Sequence, residues 1–211
     1  MKPEKTTRQR KKRTGIMGGT FNPIHLGHLL LAETAREQYD LDEILFIPSG
    51  RSYMKRELEI LPGETRLAMT ELAISDNPYF RASDLEICRP GNTYTCETLQ
   101  ELRCREPDTE FFFILGADSL FALETWKNPR EIFDSCTILA AVREERDREA
   151  VKEQADKLEQ KFHGKVQLLS CGKIEISSSR IREQLQKGQS VRYQVPDEVI
   201  QYIEKNHLYR Q

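Results

Sequence analysis

Two histidines, His25 and His28, follow a turn that contains the glycine pair Gly18 and Gly19. A short apolar segment precedes this turn, and residues 29–35 have the composition of a helix. A strand that turns on glycines into a helix directs backbone N–H groups and a partial positive charge toward one point. Imidazoles three residues apart on a helical turn share one face of the helix. The pattern therefore predicts a phosphate site. Zinc binding is the alternative, although the pair lacks a third ligand.

A second polar segment lies in the C-terminal part of the chain, and its sequence is Ile176-Ser177-Ser178-Ser179-Arg180-Ile181-Arg182. Serines at a helix start offer hydroxyls and unpaired N–H groups, and Arg182 supplies a planar fork of donors for phosphate oxygens. Alone, the segment would also fit a capped helix with a solvated arginine. Together with the histidine block, it predicts a second phosphate cradle.

The elements that must position these residues alternate along the chain. Beyond the first strand, the apolar runs predict strands at 43–48, 110–116, 136–142 and 166–169 and an extended segment at 80–87. Helical spacing predicts helices at 63–74, 95–103, 147–162, 179–187 and 197–205. This alternation predicts an α/β fold with a Rossmann-like, doubly wound parallel sheet and C-terminal helices. Ligands of such sheets bind outside the carboxyl ends of the strands.

Composition limits the function classes. The 211 residues carry a formal net charge of −2, so a global basic field for nucleic acid is absent. No apolar run has the length of a membrane span, and five cysteines without metal-ligand spacing favour a reducing cytoplasm. Residues 1–13 are basic and are predicted to form a disordered tail, with an RNA- or anion-binding arm as the alternative. Residues 14–211 are predicted to form one domain.

The segment Gly18-Gly19-Thr20-Phe21-Asn22-Pro23-Ile24-His25-Leu26-Gly27-His28 resembles the H-x-G-H signature of the nucleotidylyltransferase superfamily. In its full length it is similar to the bacterial nicotinate-nucleotide adenylyltransferases, which usually carry Asp where this chain has Asn22. The resemblance extends over roughly Gly15 to Tyr209. It implies adenylyl transfer from ATP to nicotinate mononucleotide, which yields nicotinate adenine dinucleotide and pyrophosphate. Mg²⁺ would accompany ATP.

The resemblance also implies the site residues. It assigns ATP to Gly18, Gly19, Thr20, Phe21, His25, His28, Gly116, Asp118, Ser177, Ser178, Ile181 and Arg182. It assigns the nicotinate mononucleotide to Lys55, Tyr94, Thr95 and Trp126. Among these, His25 and His28 would stabilise the reacting α-phosphate, while Ser178 and Arg182 hold the β- and γ-phosphates. His25, His28 and Arg182 are thus the implied catalytic residues, and no protein ligands for a metal are implied.

Several of these residues also have simpler interpretations. Asp118 could cap a short helix, and Thr93 or Thr95 could cap the helix that follows. Trp126 could be a core residue and Lys55 a solvated surface lysine.

Other functions stay open at this point. Phosphopantetheine, nicotinamide mononucleotide or cytidylyl chemistry shares the H-x-G-H element, as do class I aminoacyl-tRNA synthetases, although this chain is short and lacks a K-M-S-K-S-like loop. A non-catalytic nucleotide- or RNA-binding module is the alternative from another class. The expected partners are the two small substrates, with no membrane, and a homo-oligomer is compatible with the sequence.

Overall fold

The computed structural model describes residues 10–50, 60–142, 148–172 and 175–210. Its strands are β1 Lys12–Gly19, β2 Glu43–Pro48, β3 Phe80–Ala82, β4 Thr109–Gly116, β5 Thr137–Val142 and β6 Val166–Ser170. Its α-helices are α1 Leu26–Gln38, α2 Gly63–Ile74, α3 Thr95–Arg105, α4 Ala117–Ala122, α5 Pro129–Ser135, α6 Arg148–Phe162, α7 Ser178–Gln186 and α8 Asp197–Lys205. A 3₁₀ turn, Leu123–Thr125, follows α4.

The six strands form one parallel sheet in the order β3-β2-β1-β4-β5-β6. The order reverses between β1 and β4, the point at which doubly wound sheets bind their ligands. The predicted Rossmann-like fold is confirmed. The predicted extended segment 80–87 is shorter than expected, because pairing with β2 ends at Ala82.

The apolar character of β4 reflects burial on both faces of the sheet. Phe112 and Ile114 pack into one core, with α1, α2 and α8, while Phe111, Phe113 and Leu115 pack into the other, with α3 and α5. A strand covered on both faces has no polar side to present to water, and its sequence therefore lacks the alternation of a half-exposed strand.

The N-terminal boundary of the domain lies earlier than predicted. Lys12 and Arg13 belong to β1, and Arg10 pairs with Asp40 at 3.0 Å and with Asp42 at 2.6 Å. The boundary at residue 13 is therefore wrong, because these basic residues pair with acidic groups at the start of the sheet. Residues 1–9 of the predicted tail lie outside the described part. No helix within the described residues is long and apolar enough to cross a membrane.

Candidate active site

A cavity of about 350 Å³ opens at the carboxyl ends of β1 and β2, beside the start of α3. Gly18, Gly19 and Thr20 form one wall of the cavity. Gly18 and Gly19 are the last two residues of β1 and pair with β2, so the chain turns after the glycine pair, whereas the sequence had predicted the turn at the pair itself. Three other predicted site residues line the cavity: Tyr94, Thr95 and Trp126. The structure therefore brings the glycine pair and the residues predicted to bind the pyridine nucleotide together. Lys55 lies outside the described residues, and its contact with substrate stays a prediction.

The turn that follows the glycine pair is built around a buried aromatic ring. Phe21 has a positive φ of 48° and is only 2% exposed. A Cβ at Gly19 would lie 2.8 Å from the Phe21 ring, which explains why glycine is needed there. Since the ring packs against Phe46 and His28, any contact of Phe21 with ATP has to come from its backbone.

His25 and His28 lie beyond the turn, at the start of α1, and do not line the cavity. Their rings stack with centroids 3.7 Å apart and an interplanar angle of 23°. The Nδ1 atom of His28 accepts a hydrogen bond of 3.3 Å from the backbone N–H of His25. An accepting Nδ1 carries no proton, so Nε2 of His28 holds the N–H and can donate to a ligand.

His25 is neutral at physiological pH. It is 6% exposed, and burial lowers its pKa from 6.5 to about 4. Desolvation disfavours the imidazolium, and a neutral ring follows. A neutral His25 can offer a ligand an N–H group but not a fixed positive charge.

The second polar segment contacts the loop between β1 and α1, which leads from the glycine pair to His25. Ser177 is the N-cap of α7, and its hydroxyl accepts from the backbone N–H of Arg180. The Ser178 hydroxyl donates to the carbonyl of Pro23 at 2.9 Å, and an N–H of Arg182 donates to the carbonyl of Asn22 at 3.0 Å. The structure thus joins the two predicted phosphate cradles.

These contacts restrict how the second segment can bind. The Ser178 hydroxyl hydrogen is directed at a protein carbonyl, so the donors that the helix start could offer to an anion are the backbone N–H groups that begin α7. The Ile181 side chain is fully buried in the core. Any contact of Ile181 with ATP would therefore also come from its backbone.

Gly116 and Asp118 lie at the end of β4 but do not line the cavity. Gly116 is the N-cap of α4, and Asp118 is exposed in the first helical turn. The interpretation of Asp118 as the N-cap is therefore wrong. Its carboxylate makes no ion pair or hydrogen bond within the described residues, and its contact with the ribose of ATP stays a prediction.

The pyridine side of the cavity is aromatic. Trp126 is half-buried and packs edge-on against Phe113, with centroids 6.2 Å apart. Tyr94 is the N-cap of α3, so the predicted caps Thr93 and Thr95 are wrong, and the first turn of α3 borders the cavity.

Sequence reasoning missed Lys127, which also lines the cavity. Its ammonium lies 3.9 Å from the Tyr94 ring centroid and 2.7 Å from Glu97. Its position next to Trp126 was the only signal that could have indicated it.

Sequence reasoning also missed Arg66, a buried arginine on α2 that holds carbonyls of the cavity wall. The available signal was its helical spacing with Met69, Thr70 and Ala73, which places it on the buried face of α2. Within the described residues, no three His, Cys, Asp or Glu side chains converge as a metal site.

The six strands form a parallel 3-2-1-4-5-6 sheet with a glycine pair at the end of β1, next to the switch point. The polar starts of α1 and α7 meet at the loop that follows this pair. This arrangement is typical of nucleotide-binding proteins of the Rossmann-like class. A family model described as cytidylyltransferase-like matches residues 16–184. Together with the relatives described next, it shows that the chain belongs to the nicotinate-nucleotide adenylyltransferase family of nucleotidyltransferases.

The relatives cover nearly the whole chain. A protein of Lachnoclostridium phytofermentans, named "Probable nicotinate-nucleotide adenylyltransferase", is 49% identical over 198 residues, which is 94% of this chain and 99% of the relative. A protein of the same name from Dehalococcoides mccartyi is 47% identical over 201 residues, covering 93% of this chain and 97% of its own. The structure of Plasmodium falciparum nicotinic acid mononucleotide adenylyltransferase complexed with NaAD shares the fold. Its TM-score is 0.77 at 21% identity, over 94% of this chain and 97% of that one.

Proposed function

We propose that this protein transfers the adenylyl group of ATP to nicotinate mononucleotide in NAD biosynthesis. The observation that carries the proposal is the junction of the His25–His28 pair with Ser178 and Arg182 through the loop Asn22-Pro23, next to an aromatic cavity. Family membership supports it, since the relatives bear the name of this activity.

The reaction needs positioning more than proton transfer. A phosphate oxygen of the mononucleotide attacks the α-phosphorus of ATP, and the bond from that phosphorus to the oxygen bridging to the β-phosphorus breaks. The electron pair leaves with pyrophosphate. The attacking phosphate has a second pKa of about 6 and is largely ionised at neutral pH, so no general base is required. A neutral His25 fits this scheme, because its task is to donate a hydrogen bond.

The phosphates would be held by donors at two helix starts. His25 and His28 precede or occupy the first turn of α1 and would donate to the α-phosphate through imidazole N–H groups. The first N–H groups of α7 and the Arg182 guanidinium would hold the β- and γ-phosphates. Both helices direct partial positive charge toward the same loop.

The nicotinate ring would enter the cavity. Trp126 offers an aromatic face or edge for stacking, and the first turn of α3 offers N–H groups to the carboxylate. The Lys127 ammonium adds positive charge at the cavity wall, partly balanced by Glu97. An acidic ring substituent is the group that such a wall would favour over a neutral amide.

We infer that Mg²⁺ arrives with the triphosphate. The donor set fits an ion bound mainly through phosphate oxygens and water, because the described residues provide no cage of acidic or histidine ligands. When bound, the ion neutralises charge on the phosphates. We place the protein in the cytoplasm, since free thiols such as its five cysteines persist in a reducing compartment.

The test is an assay of the purified protein with ATP, Mg²⁺ and a panel of acceptors that includes nicotinate mononucleotide, nicotinamide mononucleotide and 4′-phosphopantetheine. We expect the highest kcat/KM for nicotinate mononucleotide, with dinucleotide and pyrophosphate formed in equal amounts. A higher kcat/KM for another acceptor would reassign the substrate. Tight ATP binding without product from any acceptor would favour the non-catalytic module.

The role of His28 has its own test. His28→Ala should lower kcat by a factor of roughly 10² or more, because one preorganised donor to a reacting phosphate is lost. The KM for ATP should change much less. An unchanged kcat would show that His28 does not act on the reacting phosphate. The control is His207→Asn, at an exposed histidine whose φ of 52° suits asparagine.

A further inference from the structure

Arg66 is a charged side chain in the interior of the protein. It lies in the first turns of α2 and is 3% exposed. Its side chain forms no ion pair with a carboxylate of the described residues. Arginines are seldom buried without a partner, so the position calls for a specific reason.

All three guanidinium nitrogens bind backbone carbonyls from separate parts of the chain. Nε donates to Leu61 at 2.9 Å, and the two terminal nitrogens donate to Thr20 at 2.8 Å and to Ser49 at 2.7 Å. Thr20 follows β1, Ser49 follows the neighbouring strand β2, and Leu61 precedes α2. The planar, five-donor fork of arginine reaches these acceptors through three separate nitrogens, whereas a lysine would have to meet all three from one ammonium nitrogen.

Two of these carbonyls belong to the cavity wall. Thr20 and Ser49 both line the cavity, and the Ser49 N–H also donates to the carbonyl of Gly19 at 2.8 Å. In a planar trans peptide the C=O and the following N–H point in opposite directions. By fixing the carbonyls of Thr20 and Ser49, Arg66 therefore turns the N–H groups of Phe21 and Gly50 away from itself.

We propose that Arg66 is a positioning residue that orients the peptide units 20–21 and 49–50 for binding the phosphates of the substrates. The inference rests on the proposed function. It also explains how Phe21 could contact ATP. The Phe21 ring is buried, so only the backbone N–H that Arg66 orients can reach a nucleotide. The guanidinium charge of Arg66 lies behind the cavity wall, where the carboxylates of Glu64 and Glu86 partly offset it, so its main effect is the orientation of the two peptide units.

The test separates positioning from mere stabilisation. Arg66→Lys keeps the charge but has to meet the three acceptors from one nitrogen, and Arg66→Met keeps the length without charge. Thr70→Val is the matched control. Its buried hydroxyl donates to the carbonyl of Arg66 at 2.8 Å on the same helix, so its loss lowers Tm without freeing the cavity wall. Steady-state kcat and both KM values are measured well below the lowest Tm of the set.

We expect Arg66→Lys and Arg66→Met to lower kcat by about ten- to a hundred-fold, since small misplacements of binding groups carry losses of this size. The KM for ATP should rise further in Arg66→Met than in Arg66→Lys. Thr70→Val should keep kcat within a factor of two. Wild-type kcat in both Arg66 variants, or an equal loss in Thr70→Val, would overturn the proposal.

A second measurement uses the wild-type chain and does not depend on the folding of a variant. In ¹⁵N-labelled protein, titration with Mg²⁺ and a non-hydrolysable ATP analogue should shift the Phe21 or Gly50 amide resonance. If the analogue binds and both resonances stay unmoved, the proposal is overturned. If the wild type converts no acceptor, the proposed function is refuted but the positioning role of Arg66 is not. The affinity of the Arg66 variants for the same ATP analogue then tests that role separately.

Discussion

Replacing His25 should remove a specific part of the dependence of stability on pH. Burial holds the pKa of His25 at about 4 in the folded protein, against 6.5 for an exposed histidine. As the pH falls below 6.5, the unfolded chain binds a proton at this position and the folded protein does not. The free energy of unfolding therefore decreases as the pH drops from 6.5 to about 4. The stabilisation that neutral His25 gives the folded protein is complete above pH 6.5 and is lost below about pH 4.

The size of the effect follows from the two pKa values. One pKa unit corresponds to about 1.4 kcal/mol, so the full shift from 6.5 to about 4 corresponds to roughly 3 kcal/mol. At pH 5 the linkage relation gives a loss of about 2 kcal/mol relative to pH 7.5. His25→Asn cannot titrate, and it should lack this portion of the acid destabilisation while sharing the remainder with the wild type.

Urea denaturation of both proteins at pH 7.5 and pH 5 measures the difference. We expect the wild type to lose about 2 kcal/mol more than His25→Asn between these pH values. His207→Asn is the control, because His207 is exposed and its φ of 52° suits asparagine. Equal losses in the wild type and in His25→Asn would refute a neutral, buried His25.

Two further variants probe the aromatic cavity and the C-terminal segment. Trp126→Ala should raise the KM for nicotinate mononucleotide about ten-fold, because this is the typical loss of affinity when one stacked ring is removed. The KM for ATP should stay nearly unchanged, and an equal rise in both KM values would contradict the stacking role. Tyr209→Phe removes the hydrogen bond of 2.8 Å from the hydroxyl of the half-buried Tyr209 to Oδ1 of Asn22 and should lower the free energy of unfolding by about 1 kcal/mol, measured with urea. Tyr193→Phe, at a side chain that is 88% exposed, should change stability by less than about 0.5 kcal/mol, and a similar loss in both variants would argue against the Tyr209 contact.

The sheet was predictable because its physical signals are strong and local. A strand buried on both faces, such as β4, is apolar throughout, and alternation with helices defines the parallel sheet. The end of β3 at Ala82 was not predictable, since pairing with β2 and not local composition decides where a strand stops. The basic segment up to Arg13 resembled a tail because its acidic partners, Asp40 and Asp42, lie some thirty residues away.

The motifs of the candidate site could be predicted from the sequence, but the roles of the individual residues within each motif could not. Phe21 and Ile181 stand inside motif blocks, yet their side chains belong to the core and shape the turn and the helix start. A motif records which residues occur together and does not separate those that touch a ligand from those that support them. Arg66 lies outside every motif and still supports the site. Its position on the apolar face of a helix indicates that it is buried. The three carbonyls that accept its hydrogen bonds come together only in the folded chain, so the sequence could not indicate them.

The hydrogen bonds around Asn22 would form equally with the aspartate that the sequence resemblance led us to expect at this position. Arg66, Ser178 and Arg182 bind the backbone carbonyls of residues 20, 23 and 22, which any side chain at position 22 would leave in place. Tyr209 and the N–H of Leu61 use Oδ1 of Asn22, an oxygen that both side chains possess. The hydrogen bonds that connect this loop to α2, α7 and the C-terminal segment therefore do not require an amide at position 22. What changes is the charge, because a neutral amide beside Arg182 leaves more positive potential for a triphosphate than a carboxylate would.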